Sequence, residues 1–159
     1  MASPKNNILI LPNIRSAYNV GAIFRTADAA GISKIYLVGI TPAPVDRFGR
    51  PRPDIAKSAL GAELSVSWEA VKTIGPLVAR LKKDGYTIVA IEQAKNSVDY
   101  KKVKLRAPTA FILGEETKGL PLSVLEKCDI IAEIPMRGIK ESLNVSVAAG
   151  IALFRMLGV

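Results

Sequence analysis

Five short, nearly continuous apolar runs restrict the fold of this chain more than any other feature. They are Ile8–Leu11, Lys34–Ile40, Tyr86–Ile91, Thr109–Leu113 and Ile130–Ile134. A strand buried on both faces has this pattern, whereas a half-exposed strand alternates. Helix-period segments separate the runs. Tyr18–Ala30 carries Val20, Ile23, Phe24 and Ala27 at helical spacing and closes at Gly31 as a C-cap. Ser67 reads as an N-cap, with Trp68 and Glu69 opening a helix to Lys83 that is interrupted at Pro76 and stopped at Gly85. Pro121–Lys127 forms a short helix and Leu143–Leu157 the last one, while Ala62–Val66 reads as a further short strand. Thr41–Pro53, with four prolines and Gly49, is an exposed loop. The alternation predicts an α/β domain, a parallel sheet with helices on both faces.

The 159 residues suffice for one domain, residues 1–159, with a full core and no covalent staples. The single Cys128 excludes an internal disulfide framework and a cysteine cluster for zinc. Histidine is absent, which removes Ser-His-Asp triads, histidine bases and histidine metal ligands. No stretch reaches the ~18–20 apolar residues of a membrane span, and no signal peptide opens the chain, so a cytoplasmic protein is expected. The net charge of +8 is compatible with a polyanionic partner.

Open parallel sheets bind ligands beyond the carboxyl ends of their strands, which directs attention to the residues after Leu11, Ile91, Leu113 and Ile134. Three constellations stand there. In Asn13–Arg25, Asn19 is placed to cap a helix, and Arg25 falls about 140° around the wheel from Val20, away from the apolar face. A capping Asn with a solvated Arg is the bland reading; an Arg and Asn offered to an anionic or polar ligand is the functional one. In Phe111–Leu120 a buried strand runs into Gly114, two carboxylates and Gly119. This is no phosphate cradle, since it lacks both the G-x-G-x-x-G and P-loop patterns. The acidic pair disfavours phosphates and suits a cationic or neutral adenosine derivative, or else it is simply solvated. In Ile134–Phe154, Pro135 and Gly138 break the strand, and the last helix carries no charge from Leu143 to Phe154. Such a helix is buried in the core or against another chain.

In this order the three motifs resemble the SpoU/TrmH-type RNA 2′-O-ribose methyltransferases of the SPOUT superfamily. Asn19-Val-Gly21 through Arg25 matches N-x-G-x-x-x-R. Leu113–Leu120 matches L-G-x-E-x-x-G-L. Ile134–Met136, Gly138 and Ser142–Ala148 match I-P-M-x-G…S-L-N-V-S-x-A. The resemblance covers nearly the whole chain. It implies a deep trefoil knot in the C-terminal third, a homodimer packed through the first and last helices, and S-adenosylmethionine as cofactor. By similarity, Ile91, Gly114, Ile134, Met136, Ser142 and Leu143 hold the cofactor. Arg25 is the catalytic arginine, with Asn19, Glu116, Ser142 and Asn144 shaping the site. No additional RNA-binding domain is expected beyond this core.

RNA contacts are then expected from Arg47, Arg50 and Arg52, from Lys101–Arg106, and from Arg137 with Lys140, with tRNA favoured over rRNA for so small a chain. The family's usual proposal makes the arginine a base, but a guanidinium rarely loses its proton. An electrostatic clamp on phosphate and developing alkoxide is the physically easier role. A knotted RNA-binding module without methyl transfer is the competing reading. A Rossmann-type enzyme is disfavoured because Pro12-Asn-Ile-Arg15, not a glycine-rich turn, follows Leu11.

Overall fold

The apolar runs become neighbouring parallel strands. A computed structural model describes residues 6–106, 108–115 and 117–159. Its elements are β1 (Ile8–Pro12), α1 (Ala17–Ala30), β2 (Lys34–Val38), α2 (Pro53–Ala59), α3 (Ala62–Ser65), β3 (Ser67–Val71) and α4 (Ile74–Lys83). They continue with β4 (Thr87–Ile91), β5 (Val98–Asp99), β6 (Thr109–Leu113), α5 (Leu122–Leu125), β7 (Ile130–Glu133) and α6 (Val145–Leu157). The strands form one sheet in the order β3-β2-β1-β6-β4-β7-β5, and every pairing is parallel.

Successive side chains enter opposite layers, as the two-residue period of a strand requires. Leu9, Leu11, Val89, Ile91, Phe111 and Leu113 pack with α1, α2 and α6. Ile8, Ile10, Ile88, Ala90, Ala110 and Ile112 pack with α4 and α5. Because both faces are covered, the central strands need no polar positions, which explains their unbroken apolar character.

The structure corrects two expected elements. Ala62–Ser65 is helical, not a strand, and Ser67 starts β3 instead of capping a helix. β3 pairs with β2 from Lys34↔Ser67 to Val38↔Val71, and it is an edge strand whose side chains are exposed or half-buried. An edge strand with little to bury carries no apolar run, so the helical reading of Trp68 and Glu69 had nothing to oppose it. Glu69 instead faces Lys34 across the strands at 2.8 Å. That ion pair holds the carboxyl below its usual range and the Lys34 ammonium above its own. Pro76 does not interrupt α4, since it lies in the first helical turn, where no amide donor is needed. β2 ends at Val38, ahead of Gly39 at φ 65°, and α6 begins at Val145 and not at Leu143.

Within the helical layer, α1 and α2 meet at Gly21. A Cβ there would collide with Ser58 Oγ and the Ile55 carbonyl oxygen and lie 3.1 Å from Ala59 N. Ser58 Oγ uses this proximity to donate to the Tyr18 carbonyl at 2.8 Å. Gly21 therefore sets how closely the first helix approaches α2.

Candidate active site

The site forms where β4, β6 and β7 end side by side. The segments leaving these strands together line an open cleft of about 370 Å3. Ile91, Gly114, Ile134, Met136, Ser142 and Leu143, all expected to hold a cofactor, line it. Residues as far apart in sequence as Ile91 and Ala148 meet there because β6 inserts between β1 and β4 while β7 pairs on the other side of β4.

Glu92, which sequence reasoning passed over, organises the floor. Its Oε2 accepts from the Leu120 amide at 2.9 Å, and its Oε1 accepts from the Gln93 amide at 2.9 Å. The two glycines of the β6 loop make room for this carboxylate. A Cβ on Gly114 would come within 2.7 Å of Glu92 Oε2, and one on Gly119, at φ 63°, would collide with the same oxygen. Glycine at both positions thus serves a close side-chain approach as well as a turn. A carboxylate directly after the apolar run of β4 was the available signal. Gln93 ties the third segment in, its Nε2 donating to the Glu141 carbonyl at 2.8 Å.

The electrostatics run against the chain as a whole. Glu92, Glu115 and Glu141 line the cleft, with Lys118 as the one cation among its described lining residues. A net-negative cleft in a chain of charge +8 selects for a cationic ligand and against a phosphate.

Other expected residues gather at the start of α6. Asn144 caps that helix, its Oδ1 accepting from Ser146 N at 2.8 Å and from Ser146 Oγ at 2.6 Å. Its Nδ2 donates to Oδ1 of the buried Asn19 at 3.3 Å. Asn19 is not the cap of α1. Ser16 is, its Oγ accepting from the Asn19 amide at 3.1 Å. Arg25 is not among the residues lining the cleft. It is exposed and lines a groove of about 680 Å3 with Tyr18, Lys57, Gly150 and Phe154. Glu116, the remaining expected site residue, lies outside the described residues. On the other flank of the β6 loop, Asn13, Arg15 and Ile40 line a second hollow with Lys118. Asn13 adopts φ 55° there, and its Oδ1 accepts from the Ile40 amide at 3.2 Å.

Residues 6–154 match the model of the SpoU rRNA Methylase family. The chain belongs to this family. Among SpoU relatives, it is 33% identical over 150 residues to a 23S rRNA (guanosine-2′-O-)-methyltransferase of Pseudomonas aeruginosa, covering 94% of this chain and 58% of that one. It is 34% identical over 144 residues to the tRNA (guanosine(18)-2′-O)-methyltransferase of Escherichia coli, covering 91% and 59%. The chain therefore spans under three fifths of the length of these curated relatives. A solved AdoMet-bound rRNA methyltransferase from Sinorhizobium meliloti superimposes with a TM-score of 0.84 at 30% identity, over 98% of this chain and 60% of that one. The SpoU fold thus accounts for the parallel sheet and flanking helices. Among the described residues no helix is long and apolar enough to cross a membrane, and no group of acidic or cysteine side chains could hold a metal ion.

Proposed function

We propose that this chain is an S-adenosylmethionine-dependent RNA 2′-O-ribose methyltransferase. The observation that carries this reading is the acidic cleft where β4, β6 and β7 end, lined by all six expected cofactor residues. Its volume of about 370 Å3 suits a small-molecule site, for which ~300–1,000 Å3 is usual. Ile91, Leu113, Ile134 and Leu143 offer apolar walls for an adenine ring, and the strand ends offer backbone groups for its edge. When bound, the cofactor supplies an electrophilic methyl group on a cationic sulfonium. Glu92, Glu115 and Glu141 complement that charge. Ser142 and Leu143 line the cleft immediately before the Asn144–Asn19 pair, whose polar groups would orient a ribose hydroxyl toward the methyl donor. Arg25 would clamp a phosphate of the RNA and stabilise the developing alkoxide, the hydroxyl proton passing to solvent water.

Its position outside the cleft of its own chain favours an assembly of two chains. Val147, Ile151 and Phe154 leave α6 49%, 37% and 38% exposed, and Tyr18 on α1 is 67% exposed. Tyr18 and Phe154 line the groove that holds Arg25, and Val147 and Ile151 lie on the same helix as Phe154, so a dimer packed through α1 and α6 would bury these side chains and bring the guanidinium to the seam. The reading includes a trefoil knot in the C-terminal third. What supports it is the family resemblance together with the sheet order, in which β6 lies between β1 and β4 and the loops after β6 and β7 both line the cleft.

The relatives include both tRNA and rRNA enzymes, so the substrate class is RNA. The deciding experiment is calorimetry with S-adenosylmethionine followed by methyl transfer to tRNA and rRNA with mapping of ribose methylation. Cofactor binding with methylation of one defined ribose is expected. RNA binding without cofactor affinity or turnover selects the non-catalytic module.

A further inference from the structure

The loop between β2 and α2 presents an aromatic ring held by two guanidinium groups. Phe48, at its tip, is 67% exposed and belongs to neither core layer. Arg47 Cζ lies 4.8 Å and Arg50 Cζ 4.9 Å from the ring centroid. The tip is a built structure. Asp46 Oδ1 accepts from the Phe48 and Arg50 amides at 2.8 and 3.0 Å, and its Oδ2 accepts from Arg50 Nε at 2.9 Å. The Asp46 amide donates to the Arg50 carbonyl at 2.9 Å, Gly49 supplies the left-handed turn at φ 77°, and Val45 bridges Pro51.

A large apolar ring fixed in solvent adds nothing to the core, so its use lies in what it meets. Its surroundings narrow that partner. Arg50 is already paired with Asp46 and Arg52 with Asp54, which leaves little free charge for an acidic peptide. Arg47 makes no ion pair among the described residues. What remains is one available cation beside a flat, preformed π surface. An unpaired nucleobase fits that combination, stacking on the ring or a guanidinium plane while its phosphate meets Arg47.

We propose that Phe48, with Arg47 and Arg50, is a stacking platform for an unpaired base of the RNA substrate, separate from the methyl-transfer cleft. The proposal rests on the RNA reading above. Fluorescence anisotropy tests it with a single-stranded RNA of about twelve nucleotides and a blunt duplex of the same sequence. Phe48→Ala weakens single-strand binding on the order of tenfold, leaves duplex binding and the salt slope unchanged, and is rescued by Phe48→Trp. Arg47→Ala weakens both RNAs and lowers the salt slope by about one. Phe48→Ala should unfold near the wild-type temperature, since its ring is exposed. Wild-type affinity in Phe48→Ala, an equal loss on both RNAs, or dissociation of the dimer in sedimentation overturns the platform. A wild-type chain that binds neither RNA overturns the RNA reading itself.

Discussion

Asn144 and Asn19, 125 residues apart, are joined side chain to side chain at 3.3 Å. The same Asn144 caps α6, so one residue both starts the last helix and ties it to the first. The two functions are separable. Asn144→Ala removes cap and tie, and should cost about 1–2 kcal/mol in urea unfolding. Asn144→Asp keeps the capping oxygen but sets a carboxylate oxygen against Asn19 Oδ1 in place of the donor, so its stability should fall between Ala and wild type. Stability equal to wild type shows that the tie contributes nothing.

Gly21→Ala tests the contact between α1 and α2. The added methyl collides with Ser58 Oγ and the Ile55 carbonyl, and a loss of about 1–3 kcal/mol is expected from chemical denaturation. Ser58→Ala in the same chain restores little, because the carbonyl remains.

Glu92→Gln leaves the Leu120 and Gln93 amides with one good acceptor between them and removes a negative charge from the cleft. Affinity for S-adenosylmethionine, measured by calorimetry, should fall at least about tenfold, while stability drops by about 1–3 kcal/mol. Unchanged affinity separates Glu92 from cofactor binding.

Arg25 is exposed and outside the cleft, so its role should appear in turnover and RNA binding but not in cofactor affinity. Arg25→Ala should lower turnover by about 10²–10³ with cofactor affinity and melting temperature unchanged, and Arg25→Lys should restore part of it. Turnover near wild type in Arg25→Ala removes it from the chemistry.

Burial pushes the Cys128 thiol up to about 11. A raised value means less thiolate at any pH below it. Alkylation by iodoacetamide at pH 8 should therefore run about a hundredfold slower than for an unperturbed thiol, and accelerate between pH 9 and about 11. Rapid labelling of the native chain at pH 8 contradicts that environment.

The central strands, the last helix, and the glycine-bearing segments after β6 and β7 were all legible in the residues themselves. Continuous apolar runs arise wherever both faces of a strand are covered, and that condition is written into every position of the run. β3 was not legible, because an edge strand buries too little to leave a pattern. Ser16 displaced Asn19 as the cap of α1, since either residue type suits that role and only the backbone decides between them. Glu92 looked like any polar residue after a strand until Gly114 and Gly119 were seen to fold against it. Local periodicity thus determined the layers, while the motifs shared with the family named the residues around the cleft. Strand order alone decided that the ends of β4, β6 and β7 meet, and that Arg25 stands apart from them. It depends on long-range pairing energies, which no short window of sequence contains.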